Sequence, residues 1–292
     1  MATINYRFKG HEKFPLREGW LNKGMAVAFE NNETAFKDSE GPDRLGVGTN
    51  MVKSIKYWLK AFELIEDKGL KLTEFGRIIY ENDMYLEDDF TWWLLHSTLA
   101  KSIKNATTWY LFFNKCDIEE FSRENLKKII YTEAQLLTGN PELKELAIND
   151  DIDVLINMYC KNTDKDNDPE DKIISPMSKL GLLKKIGDNY VKEQPALNSF
   201  SEWIILYELF SMFEMEKTDN ISIDRFSTGE LGVGRLYNLS KVAINEYLDL
   251  LEKQDFIRVV RTAGLDIIYK SENEDISAKD IIIKYYNEFR TR

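Results

Sequence analysis

The chain has 292 residues, 43% hydrophobic and 30% charged, a composition that builds a buried core and excludes an intrinsically disordered tail. Six prolines and fifteen glycines exclude collagen-like and low-complexity classes and favour long helices, and two cysteines, Cys116 and Cys160, are too few for a disulfide framework. Thirty-nine basic against fifty acidic residues give a net charge of −11, which opposes non-specific coating of nucleic acid.

The charge is uneven. Residues 1–60 carry +3 and the rest −14, so any polyanion site is expected to be local and near the front. The first residues, MATINYRFKGHEKF, meet charge early and lack the apolar run of a signal peptide. The longest apolar stretch, Phe90 to Ala100, stops at Lys101, short of the roughly 18–20 residues a bilayer span needs. No membrane association is expected, and the low cysteine content fits a cytoplasmic location.

In chain order, Trp20, Met25, Ala28 and Phe29 predict a first helix ending near Asn31-Asn32. A turn through Ser39 to Pro42 and the word Leu45-Gly46-Val47-Gly48 lead into a run where Met51, Ile55, Trp58, Leu59 and Phe62 share one helical face. Lys53, Lys56 and Lys60 then fall on the opposite, solvated face. Leu70 and Leu72 alternate like a small hairpin, and Thr73 can cap a further helix containing Gly76. Helix, glycine turn, amphipathic helix, hairpin and new helix is the order of a winged helix-turn-helix; a plain three-helix bundle with a loop is the alternative.

Residues 86–160 read as helix broken at short turns, with Trp92, Trp93, Leu94, Leu95 and Leu99 in a segment apolar nearly all round. Here Trp92, Trp93, His96 and Trp109 are expected to be core residues, with Thr107 and Thr108 capping or bonding locally. The acidic tract 162–171 with Pro169 reads as a linker or surface loop. A small helix and a hairpin turning at Gly187-Asp188 follow, then an amphipathic helix centred on Trp203, Leu206, Leu209 and Phe210. Leu231-Gly232-Val233-Gly234 repeats the front word, and Ala243, Ile244, Tyr247, Leu250 and Leu251 lie at helical spacing before a hairpin through Ala263-Gly264. The glycine words align at a shift of 186 and the helices at 192, so a second winged helix is expected with a six-residue insertion. The resulting fold class is mainly α, multi-helical, with winged helix-turn-helix modules and small hairpin wings at both ends. The expected parts are 1–85, winged-helix-like; 86–161, helical; 162–172, an acidic linker or loop; and 173–292, helical and winged-helix-like.

Catalytic chemistry finds little support. His11 and His96 form no helical metal pair, and the cysteines form no CxxC. Asp164, Asp166 and Asp168 imitate half a calcium loop, but Pro169 replaces the required glycine and Ser175 the bidentate Glu. Gly46-Val47-Gly48 and Gly232-Val233-Gly234 lack the third glycine and the preceding strand of a dinucleotide loop. No catalytic residue, metal site or cofactor is expected.

A binding surface remains. Thr49 and Asn50 start the presumed recognition helix, Arg44 precedes it, and Lys53, Lys56 and Lys60 form its stripe, with Arg7, Lys9, Lys13 and Arg17 nearby in sequence. Asn50 can bond adenine in two places, whereas lysines neutralise phosphates. In the second module Arg235, Lys241, Arg258 and Arg261 are the equivalent candidates, the last two from the wing. The plain alternative is that these lysines only solvate a helix face.

The words GHEKFPLREGWLNKG (10–24), RLGVGTNMVKSIKYWLKAF (44–62), WWLLH (92–96), ATTWYLFFN (106–114) and SPMSKLGLL (175–183), with the final helix and hairpin, resemble the bacterial domain of unknown function 4007 across nearly the whole chain. Members tend to be encoded beside DNA phosphorothioation genes, which replace a backbone oxygen by sulfur and serve defence systems. The resemblance implies a non-catalytic DNA-binding or adaptor subunit of a phosphorothioation-linked antiphage system. Its expected partners are double-stranded DNA, phosphorothioate-modified DNA included, and other subunits of the modification or restriction system. A protein-interaction scaffold that binds partner subunits through its winged helices is the alternative; a nuclease would need a carboxylate cluster that the spacing does not supply.

Overall fold

The computed structural model describes residues 5–30, 33–160, 175–196, 199–262, 264–271 and 276–289, and the expected linker at 162–172 lies outside them. The chain is mainly helical with two small antiparallel sheets of three strands each, and it forms two compact units, 1–193 and 194–292.

In the first unit, helix α1 (Trp20–Phe29) packs on α3 (Thr49–Ala61). Contact is close at Gly24, where a Cβ would come within 2.5 Å of Leu59. Ile55, Trp58, Leu59 and Phe62 are buried, as the three-and-four spacing predicts; Met51, expected with them, is half-buried, and Val52 and Tyr57 are buried in addition. Helix α2 (Gly41–Leu45) precedes α3, and α4 (Glu74–Asn82) follows it. Thr73 caps α4, its hydroxyl accepting from Gly76 N at 2.9 Å. Between α3 and α4 the expected hairpin is reduced to one bridge, Ile65 with Leu72, because left-handed residues Glu63, Gly69 and Leu70 turn the chain before a ladder can extend.

Helices α5 (Asp89–Lys101) and α6 (Thr107–Asn114) are buried on nearly every side, and α7 (Arg123–Thr138) and α8 (Glu145–Tyr159) pack around α6. His96 is buried, with Nδ1 2.8 Å from the Tyr159 hydroxyl. Strands β2 (Leu183–Ile186) and β3 (Asn189–Lys192) form the expected hairpin across Gly187, but β3 also pairs with β1 (Glu120–Ser122), Phe121 opposite Tyr190. This ladder fastens 183–192 to the first unit. The division therefore falls after Glu193, not at the acidic tract.

The second unit surrounds α9 (Glu202–Glu216), which buries Trp203, Ile204, Leu206, Leu209, Phe210 and Phe213. It is a central helix, not the one-sided amphipathic helix expected, because α12 (Lys241–Lys253) and α13 (Ala278–Phe289) both pack against it. Strands β4 (Asn220–Ser222), β5 (Ile257–Thr262) and β6 (Leu265–Lys270) lie in the order β4-β6-β5. Between β4 and α12 run α10 (Ile223–Thr228) and α11 (Val233–Tyr237). Thr49 to Ala61 and Lys241 to Lys253 match end to end at the predicted shift of 192. The repeated glycine word does not: at 45–48 it enters α3, whereas at 231–234 it enters the short α11. The extra six residues are that helix and its turn.

A strap, residues 5–17, lies over the buried aromatic face of α3. His11, fully buried, stacks on Trp58 at 5.9 Å and meets Tyr57 and Trp109 edge-on. Its Nε2 lies 2.7 Å from Asp151 Oδ1 and its Nδ1 accepts from Lys13 N at 3.1 Å, a pattern in which Nε2 is the donor to the carboxylate. Asp151 also accepts from Lys9 N at 2.9 Å and from the Thr108 hydroxyl at 2.6 Å, so Thr108 bonds a residue 43 positions away and not locally. Thr107 does bond locally, donating to Ile103 O at 2.9 Å. Because a buried carboxylate that loses a donor keeps its desolvation penalty, His11→Ala is expected to lower stability by about 1.5–3 kcal/mol. A urea midpoint measures the loss, and an unchanged midpoint would show that the strap is not fastened here.

Candidate nucleic-acid interface

The turn into α3 is set by glycine geometry. Gly46 ends α2 in the left-handed region at φ +65°, with its N–H and that of Val47 both bonded to Pro42 O. Gly48 then extends and starts α3 without a side-chain cap and without an acidic residue in the first turn. Gly48, Thr49 and Asn50 are exposed, so the positive end of a 13-residue helix reaches the surface beside two hydrogen-bonding side chains.

The three lysines share a face of α3 but not a condition. Lys53 is 46% exposed and lies 3.6 Å from Asp38. Lys60 is only 16% exposed; its Nζ donates to Asp67 O at 2.8 Å and sits 3.6 Å from that carboxylate. Arg44 lies 3.6 Å from Glu40, and Lys9 and Lys13 both reach Asp150, at 2.8 and 3.0 Å. Lys56 differs. It is half-buried, and the charges that act on it are Lys60 and Arg7, both of its own sign; burial first and these cations second hold its pKa below the ordinary lysine range. Burial resists ionisation of Asp150, yet the hydrogen bonds and charges of Lys9 and Lys13 outweigh it and lower its pKa.

In the second unit the four cations do not converge. Arg235 is bonded to the backbone of its own unit, its Nε donating to Thr228 O at 2.7 Å. Lys241 pairs with Asp224 at 2.7 Å, and Arg261 with Asp249 at 2.8 Å while also donating to Asn245. Arg258 stacks on Tyr269, its cross-strand partner, at 5.3 Å. Strand alternation puts Arg258 and Arg261 on opposite faces of β5. Helix α12 is also capped, Ser240 accepting from Ala243 N, and it exposes Val242 (70%).

Sequence reasoning overlooked the His11–Asp151–Thr108 cluster. Both ring nitrogens of His11 are engaged and its exposure is nil, so it fastens the strap to α8. Among the described residues no group of three or more His, Cys, Asp or Glu is placed to hold a metal ion, and no helix is long and apolar enough to cross a membrane.

The family model for "Protein of unknown function (DUF4007)" matches residues 8–286. The chain belongs to this family. An SspB crystal structure superposes with a TM-score of 0.84 at 26% identity, covering 100% of this chain and 91% of that one. A magnesium-ion-bound SspB crystal structure gives 0.83 at 24% identity, covering 98% and 89%. A search of curated proteins found no match. The likeness to SspB extends over both units.

The Lys56 environment has a measurable consequence. In an NMR titration of lysine side chains, Lys56 should lose its proton below the ordinary lysine range. Replacing Lys60 by Gln should move the Lys56 midpoint upward without restoring it fully, since burial is the larger cause. A Lys56 midpoint at the ordinary lysine value would contradict the placement.

Proposed function

We propose that the chain is a DNA-binding or adaptor subunit of a phosphorothioation-linked antiphage system, acting in the cytoplasm and performing no chemistry on DNA itself. The observation that carries it is the exposed, uncapped start of α3, with Thr49 and Asn50 at the tip and a cationic side formed by Lys53, Lys56 and Lys60. In this reading each unit holds a helix-turn-helix module, with α3 and α12 in the recognition position; the β5–β6 hairpin is the wing of the second, and the single Ile65–Leu72 bridge is what remains of a wing in the first. Support comes from the end-to-end match of α3 and α12 and from the order β4-β6-β5, in which the strand before the helices joins the wing. Family membership and the likeness to SspB favour the system; the uneven charge favours the front module as the DNA side.

A second reading has its own observation. The four candidate cations of the second unit, Arg235, Lys241, Arg258 and Arg261, are engaged by carboxylates, ring or backbone, and α12 exposes Val242, features that suit contact with a protein partner better than with phosphates. The front module would then hold DNA while the second holds another subunit.

Gel-shift titration of the full chain with modified and unmodified duplexes at two salt concentrations tests the proposal. Affinity should fall steeply with salt, and replacing Lys53, Lys56 and Lys60 together by Ala should weaken binding to every duplex and flatten the slope. Asn50→Ala should instead change sequence preference, by about 1–3 kcal/mol at one base pair. Absence of binding by the parent chain would leave the scaffold reading. Since one SspB structure holds magnesium, incubation of plasmid with the chain and Mg²⁺ checks the absence of chemistry, and strand cleavage would contradict it.

A further inference from the structure

We infer that Arg7, on the strap, and Lys56, on α3, form one phosphodiester-binding subsite that the helix stripe alone does not supply. This rests on the proposal that the front module holds DNA, and it assigns the backbone contact to a side chain outside the helix.

The geometry begins with the strap. Arg7 N donates to the Thr107 hydroxyl at 2.8 Å and Arg7 O accepts from Thr107 N at 3.3 Å, so the residue is held at both backbone ends against the start of α6. Its guanidinium then lies over the Tyr57 ring, with Cζ 5.0 Å from the ring centre. Gly10 completes the seat. A Cβ there would come within 2.2 Å of Tyr57 and 2.7 Å of Arg7 Nε, so only glycine lets the strap close over both groups. A stacked, half-buried guanidinium has already given up much of its rotamer freedom, and less is lost when it binds.

The second half of the subsite is Lys56, the residue before Tyr57 on α3. The charges acting on it are Arg7 and Lys60, and no carboxylate is among them. Several other cations on this side of the molecule are offset by an acid: Lys53 by Asp38, Lys60 by Asp67, Arg44 by Glu40, Lys9 and Lys13 by Asp150; Arg17 instead lies over the Phe14 and Trp20 rings, and Lys23 donates to Leu45 O. Among the described residues neither Arg7 nor Lys56 pairs with an acid. Arg7 lies over Tyr57 and Lys56 precedes Tyr57 on α3, so the two like charges act on one another, both half-buried; that repulsion opposes folding, and an anion bound by both relieves it. A phosphodiester fits by charge and by the planar donor fork of arginine, which can reach two of its oxygens.

The test uses the full chain and a plain duplex, measured between about 50 and 200 mM salt. The double variant Arg7→Gln/Lys56→Gln should lower the slope of log affinity against log salt by about 1.8, two contacts at about 0.9 each. The charge-keeping variant Arg7→Lys/Lys56→Arg should retain most of the slope. Should the double variant fail to fold, Lys56→Gln alone, which breaks no contact of the strap, should lower it by about 0.9. A parent-like slope in the glutamine variants, with the parent binding DNA, overturns the subsite and leaves the front module as the DNA side. Failure of the parent to bind DNA overturns both.

Discussion

The carboxylate of Asp151 fixes the front of the molecule. It is buried in α8, accepts from the strap at Lys9 N and His11, and accepts from α6 at Thr108. A buried carboxylate without these donors would be costly, so the three segments are held together or the charge is left unmet. Everything that concerns α3 depends on this. With His11 in place, the strap covers Trp58 and Tyr57, one face of α3 is sealed, and the opposite face and the uncapped first turn are left as surface. Asp150, the preceding residue, holds Lys9 and Lys13 and removes them from the cations available to a ligand.

Net charge alone would assign this protein away from nucleic acid. The tertiary structure sorts the cations individually, and the sorting differs between the units. Around α3 several basic side chains meet an acid, whereas Arg7, over Tyr57, and Lys56, the residue before it, act on one another without one among the described residues, and Thr49 and Asn50 stand at the exposed helix start. Around α12 the cations named from the sequence are engaged by Asp224, Asp249, Tyr269 or a backbone carbonyl. Two modules of similar order along the chain can therefore serve different partners.

Much of the local structure was legible in the sequence because it is governed by near-neighbour spacing. The buried face of α3, its equivalence to α12 at a shift of 192, the Thr73 cap and the Gly187 turn all depend on residues within a turn or two. What escaped depends on distant partners. His11 and Asp151 are 140 positions apart, β1 and β3 about 70, and the pairing that places 183–192 in the first unit has no local signature. The burial of α9 on nearly all sides likewise follows from α12 and α13, which arrive later in the chain. A signal for the clasp did exist: Asp150 and Asp151 sit at the start of a run of buried aliphatic residues in α8, where adjacent carboxylates require partners. The candidate residues were legible as types and positions, but which lysine keeps its charge free was not, since Lys60 and Lys56 look alike in sequence and differ only in what stands beside them.

Photo-crosslinking of the full chain to a duplex carrying reactive thymine analogues, read by mass spectrometry of the peptides, tests most directly that α3 is the recognition element. Crosslinks should fall on the α2–α3 turn and the first turns of α3, around Thr49 and Asn50. Crosslinks confined to residues 194–292, or none at concentrations where the duplex is bound, would contradict it.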